Sequence, residues 1–370
     1  MPQATQDARP GEALDLPALA AYLRTALPQL GDLRHVRQFR SGFSNLTYGL
    51  TLGPRRDGAG ADRPGAAAHE IVLRRPPFGP RAGKAHDVVR EHRVLEGLAA
   101  LFPAADGGVA LAPAPLAVCG DETVLGAPFY LMSFVGGAII RQPGGPALAP
   151  ADARAASAAL VEALARLHAA DLAGSPLAGL GRPEGYVERQ VEGWIERHER
   201  ARTPDVAPLG TLGDYLRAER PADRPGALVH NDYKFDNVVF APGDYTRVAA
   251  VLDWEMCTVG DPLMDLGLTL AYWAHPEEVA EEPFLGVNAT HLPGMMRREG
   301  LVAAYAKTPG TPPIGGYDDL RYYYVFGNVK IAGIIQQIYA RYVAGHTRDE
   351  RFRDLGRVVD YLLRRAGREI

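Results

Sequence analysis

Cysteine is almost missing from this 370-residue chain: Cys119 and Cys257 stand far apart, with no second cysteine or histidine at metal-ligand spacing. That scarcity excludes a disulfide framework and a zinc finger, and it fits a reducing compartment. Long apolar runs are missing too. No stretch of about 18 apolar residues occurs, so no membrane-crossing helix is expected, and MPQATQDARPGEALD lacks the apolar core of a signal peptide. The expected location is the cytoplasm. Charge of one sign is also scarce: a net charge of −4 supplies no basic field for nucleic acid or an anionic membrane. No internal repeat is found.

What is there reads as an enzyme of two lobes. The chain is too long for one ordinary core, and 47% apolar with 23% charged residues is usual for a soluble protein. Glycine (41) and proline (30) are above average, which predicts long punctuated loops. Asp15 is placed to cap a first helix carrying Leu16, Leu19, Leu23 and Leu27 on one face. β-like runs follow at 35–39, 47–52 and 70–74, with a Gly/Ala/Arg-rich loop at 53–68. A helix is expected over 87–100, then β-like runs at 114–118 and 128–135. The pair Gly136-Gly137 marks a lobe boundary, giving an N-lobe of 1–135 and a C-lobe of 136–370. Beyond it, helices are predicted over 152–169 (capped by Asp152), 186–200, 263–273, 321–344 and 352–365. Two short β-like segments, 227–229 and 248–252, bracket a polar loop. The fold class is α+β.

That loop is HNDYKFDN, residues 230–237. Phosphoryl transfer needs a carboxylate beside the attacking hydroxyl, oxygen ligands for magnesium and positive charge near the phosphates. Asp232 is placed to accept the hydroxyl proton, Lys234 to reach the transferred phosphate, and Asn237 to offer an amide oxygen to magnesium. Asp253, ending the next β-like segment in VLDWE, adds a second carboxylate about one hairpin away. Asp and Asn also serve as ordinary turn residues, and Asp236 is read as structural. Trp194, Trp254, Trp273 and Tyr322-Tyr323-Tyr324 are read as core.

HNDYKFDN resembles the catalytic loop of the protein-kinase-like superfamily, and LDWE followed by GDPLMDLG is similar to the magnesium segment of aminoglycoside and choline kinases. SGFSNLTY, VLRRPP, REHRVLEGL, GYVERQVEGW and QQIYARYVAG extend the likeness over nearly the whole chain. It is nearest to the phosphotransferases related to the kinase-like domain fused to some acyl-CoA dehydrogenases. The resemblance implies a bilobal protein-kinase-like fold: a small N-lobe with an antiparallel sheet plus a helix, and a large, mainly helical C-lobe. It implies ATP and Mg2+ as cofactors, with Asp232 as base, Lys234 near the γ-phosphate, and Asn237 and Asp253 on the metal. His230 would orient the loop, Glu255 would reach a second magnesium, and Asp265 would hydrogen-bond the loop from a helix start.

By the same resemblance, Ser41, Gly42, Phe43, Ser44 and Asn45 would cover the phosphates through backbone N–H groups. Arg74 stands where the superfamily has lysine, with Arg75 as a contender, and Glu91 would be its ion-pair partner. Met132, Ser133 and Val135 would receive adenine. The partner is a small-molecule hydroxyl acceptor. Lys330 and Arg341 in an aromatic segment favour an anionic or amphipathic acceptor, and the resemblance points to a hydroxyacyl-CoA, whose phosphorylated hydroxyl becomes a leaving group. An aminoglycoside kinase and a catalytically weak nucleotide-binding regulator are the alternatives. GDPLMDLG follows Asp253 too closely for a protein kinase's activation segment.

Overall fold

The computed structural model describes residues 5–39, 45–54, 68–78, 87–103, 111–347 and 349–370. The chain divides into two compact units, Met1–Gly136 and Gly137–Ile370. Among the described residues no helix is long and apolar enough to cross a membrane.

The first unit comprises β1 (Thr5–Gln6), α1 (Leu16–Ala26), β2 (Leu33–Phe39), β3 (Leu46–Leu52), β4 (His69–Arg75), α2 (Val88–Leu101), β5 (Pro115–Cys119), α3 (Glu122–Leu125) and β6 (Phe129–Ser133). The strands form one sheet in the order β1-β2-β3-β4-β6-β5, antiparallel at every pairing. Side chains alternate across a strand, so β4 serves two layers at once. Ile71 and Leu73 join Leu19, Leu23, Tyr48 and Leu131 in one core cluster. Val72 and Arg74 therefore face the other way. Asp15 caps α1 by accepting from Ala18 N at 3.0 Å, and Asp87 caps α2 by accepting from Arg90 N at 2.9 Å. In α2 the buried stripe includes Glu91 beside Val88, Val94, Leu95 and Leu98, which puts a carboxylate where the periodicity calls for an apolar group.

The second unit contains β7 (Ala138–Ile139), α4 (Pro150–His168), α5 (Tyr186–Ala201), α6 (Thr211–Ala218), β8 (Ala227–Val229), β9 (Val238–Ala241), β10 (Asp244–Val251) and β11 (Thr258–Gly260). α7 (Pro262–Tyr272), α8 (Pro276–Glu281), α9 (Arg298–Tyr305), α10 (Arg321–Val343) and α11 (Leu355–Gly367) complete it. α10 is buried on most of its circumference and packs against α5, α7 and α11. Its approach to α7 is backbone to backbone: a Cβ on Gly327 would lie 2.8 Å from Gly267 O, and one on Gly267 would lie 2.5 Å from Tyr323. Glycine at both positions lets the helices touch.

Two sequence expectations are corrected. Asp152 does not cap α4, which starts two residues earlier at Pro150 behind Ala149; Asp152 lies in the first turn, where its charge suits the helix dipole. The segments 227–229 and 248–252 are not the two arms of one hairpin. β8 pairs with β11, whereas β10 pairs with β9, and β9 pairs in turn with β7. Strands of three or four residues buried on both faces carry no alternation, so β9 and β11 gave no periodic signal.

Candidate active site

HNDYKFDN leaves β8 and ends in a 3-10 turn, Phe235–Asn237, that delivers the chain into β9. Its start is held by α7. The N–H of His230 donates to Asp265 Oδ2 at 2.6 Å and that of Asn231 to Asp265 Oδ1 at 2.8 Å. His168 of α4 adds Nε2 at 3.2 Å, while its Nδ1 meets the Tyr305 hydroxyl at 2.7 Å. Burial opposes charge on Asp265, yet the hydrogen bond and charge of His168, with help from His230, hold its pKa below the usual carboxylate range.

The His230 ring ties the loop to the strand before Asp253. Nε2 lies 2.8 Å from the Leu252 carbonyl and Nδ1 3.2 Å from the Asp232 nitrogen, so the ring bridges the two segments. Leu252 N in turn donates to Asn237 O at 2.7 Å. Asn237 and Leu252 therefore run side by side, which brings Asp253 to the end of β10 nearest the loop. Asn231 and Asp253 both take left-handed backbone, with φ of 68° and 67°. Such conformations are costly for non-glycine residues and persist where surroundings enforce them.

The Asp232 carboxylate is engaged from several sides. Lys234 Nζ lies 2.7 Å from Oδ1 and 2.6 Å from Oδ2, the Tyr272 hydroxyl donates to Oδ1 at 2.8 Å, and Asn237 Nδ2 donates to Oδ2 at 3.0 Å. The Lys234 ammonium also sits 4.7 Å from the centre of the Tyr272 ring. Burial, reinforced by the Asp232 charge, pushes the Tyr272 pKa well up, so its hydroxyl stays a donor. Asp236 is raised by burial against the pull of Lys234 and Arg141. Asn237 Nδ2 spends itself on Asp232, donating to its backbone oxygen at 2.8 Å as well. The Asn237 amide oxygen is the remaining acceptor. Asn237, Asp253 and Glu255 carry oxygen donors of the hard kind that magnesium takes. Among the described residues no group of three or more His, Cys, Asp or Glu could cage a metal. A cation here would need oxygens from a bound phosphate.

In the first unit, Arg74 Nη1 meets Glu91 Oε1 at 2.8 Å with both side chains buried. Arg75, on the opposite face of β4, stacks its guanidinium 3.5 Å from the centre of the Phe78 ring. The ion pair with α2 belongs to Arg74. Met132 is buried in β6, and Ser133 exchanges bonds with Ala114, donating its N–H and accepting at Oγ, both at 2.9 Å. Val135 follows two residues after that strand ends. Ser41, Gly42, Phe43 and Ser44 lie outside the described residues; Asn45 is buried just before β3.

One expectation about the acceptor is overturned: Lys330 is 1% exposed and bonds the Asn231 carbonyl at 3.0 Å and its side-chain Oδ1 at 3.1 Å, so it offers no surface cation. Trp194, Trp254 and Trp273 are buried. Sequence reasoning missed Tyr272, although it lies two helical turns beyond Asp265 and so shares its face. It also missed Tyr186, whose hydroxyl donates to Asn231 Oδ1 at 3.0 Å. Nothing in its own neighbourhood of the sequence points to that contact.

Residues 35–313 match the model of the phosphotransferase enzyme family, APH. The chain is similar to acyl-CoA dehydrogenase family member 11 of Gallus gallus, 33% identical over 365 residues that cover 96% of this chain and 43% of that protein. It is 31% identical over 359 residues to acyl-CoA dehydrogenase family member 10 of Mus musculus, covering 96% of this chain and 31% of that protein. The chain thus spans less than half the length of these relatives. A solved chain from Ralstonia eutropha, assigned as an aminoglycoside phosphotransferase, shares its fold with a TM-score of 0.74 and 29% identity, covering 96% of this chain and 99% of that one.

Proposed function

This chain belongs to the phosphotransferase enzyme family, and from that premise we propose that it transfers the γ-phosphoryl group of ATP to a hydroxyl of a small molecule, a hydroxyacyl-CoA thioester. The observation that carries the reading is the Asp232 carboxylate, oriented by Tyr272 and Asn237 and touching the Lys234 ammonium. Asp232 takes the proton as the acceptor oxygen bonds to phosphorus and the bond to ADP breaks. Lys234, one swing of its side chain away, follows the transferred phosphoryl group. Asn237 and Asp253 would hold Mg2+, with Glu255 available to a second ion; bound magnesium would neutralise charge on the phosphates.

Arg74, which meets Glu91 at 2.8 Å, would serve the nucleotide phosphates. Met132, Ser133 and Val135 receive the adenine. The acyl-CoA acceptor is supported by the relatives' names, which tie the same kind of domain to acyl-CoA chemistry. To test the reading, the protein is incubated with ATP, magnesium and a panel of hydroxyacyl-CoAs, choline and aminoglycosides, and products are weighed by mass spectrometry. One added phosphate on a hydroxyacyl-CoA, absent with Asp232→Asn, is the expected result. Transfer only to aminoglycosides would replace the acceptor, and equal turnover by Asp232→Asn would remove the base.

A further inference from the structure

Lys330 lies in the middle of α10, far from the loop in sequence, and the reaction just described does not use it. It is 1% exposed and reaches Asn231 twice, at the backbone carbonyl (3.0 Å) and at Oδ1 (3.1 Å). On the other side of the same stretch, Asp265 accepts the N–H groups of His230 and Asn231. The peptide before Asp232 is thus gripped between an ammonium on its carbonyl and a carboxylate on its amide nitrogens. Asn231 carries the left-handed φ of 68° that turns the chain into Asp232, and its Nδ2 donates to Met256 O at 3.2 Å, just past Asp253. We propose that Lys330 is a positioning residue, which fastens Asn231 so that the adjoining Asp232 carboxylate and the segment after Asp253 keep their mutual register.

An ammonium in so dry a place is expensive, and it is retained here against two acceptors of Asn231. α10, which carries the lysine, packs closely on α7 at Gly327 and Gly267. The groups around it are Asp265 from α7, Asp232 and Lys234 from the loop, and Arg197, Tyr186 and the Trp194 ring from α5. Burial pushes its pKa down to about 8, against the pull of Asp265 and Asp232.

This inference rests on Asp232 being the base, and the test separates the two. Lys330→Met is compared with the parent for melting temperature, crystal structure over 230–237, and kinetics with ATP, magnesium and a 4-hydroxyacyl-CoA. The expected result is a lower melting temperature, since the buried Asn231 carbonyl loses its donor, kcat lower by about 10- to 100-fold, and a KM for ATP moved by less than about threefold. An alkaline fall in kcat near pH 8, present in the parent, should vanish in the variant. Parent-like kcat, or equal damage to KM, overturns the proposal. If Lys330→Met does not fold, Lys330→Leu, which likewise lacks a donor, takes its place with the same outcomes. Asp232→Asn is run alongside. Should it retain parent turnover, the base assignment falls, and Lys330 is judged on the crystal structure alone: Asn231 still left-handed in Lys330→Met overturns the fastening role.

Discussion

Asp265 Oδ2 stands 2.6 Å from the backbone nitrogen of His230, so a carboxylate in the first turn of α7 sets where HNDYKFDN begins. Replacing it with alanine strands two buried N–H donors and the His168 ring. Asp265→Ala is expected to cost about 3–5 kcal/mol in urea unfolding at pH 7. The acid side has a definite sign. The folded pKa of Asp265 is depressed, so its contribution is complete above the unfolded value of about 3.9 and fades as pH falls through the folded pKa. The stability gap between the parent and Asp265→Asn should shrink below about pH 4. A gap of constant size down to pH 2 would contradict a charged Asp265.

Tyr272 touches Asp232 through its hydroxyl alone, at 2.8 Å, while its ring carries Lys234. Tyr272→Phe keeps the ring and deletes the donor. Stability should fall by only about 0.5–1.5 kcal/mol, the net worth of one hydrogen bond. Turnover should fall by roughly 10-fold with KM for ATP unaltered, because a carboxylate freed on one side spends less time aligned. An unchanged kcat would mean that Lys234 and Asn237 orient Asp232 without help.

How much of this was legible in the sequence follows from the range of each interaction. Asp232, Lys234 and Asn237 sit within six residues, and their contacts are local, so the motif itself announces them. Glu91 was legible only through the resemblance that pairs it with Arg74; its place in the buried stripe of α2 appears only in the fold. Arg74 and Arg75 could be told apart only once the parity of β4 was known: the core cluster takes Ile71 and Leu73, leaving Arg74 to Glu91. Lys330 and Tyr186 reach the loop from α10 and α5, and His168 of α4 reaches Asp265, which holds it; such contacts depend on helix packing rather than on any spacing. The pairing of β8 with β11 was hidden for a different reason. Both strands are three residues long, too short for a period.

The Arg74–Glu91 pair joins β4 to α2 at 2.8 Å with both ends buried. Glu91→Ala removes the buried carboxylate that meets this guanidinium and should destabilise by about 3–5 kcal/mol. The double variant Arg74→Met/Glu91→Leu should recover most of that loss, since apolar groups of similar size can replace a buried pair. If Arg74 serves the nucleotide, the double variant still has a much higher KM for ATP. Full stability with full ATP affinity would make the pair purely architectural. Thermal unfolding and ATP titration on the same samples distinguish these results.

Asp253 combines a charge with a left-handed backbone, φ 67° and ψ 64°, at the junction between β10 and the turn Trp254–Met256. Two substitutions pull these properties apart. Asparagine tolerates the left-handed region nearly as well as aspartate but carries no charge; alanine loses both and should cost about 1–2 kcal/mol more in backbone conformation. If Asp253 holds magnesium, both variants should lose the gain in affinity for a non-hydrolysable ATP analogue that magnesium confers, by about 10- to 100-fold. Only Asp253→Ala should melt earlier. Titrations with and without EDTA read the first effect and thermal unfolding reads the second. Because the two readouts move independently, a magnesium response kept by Asp253→Asn would count against the ligand role whatever happens to stability, and an equal drop in melting temperature for both variants would place the carboxylate's value in the fold.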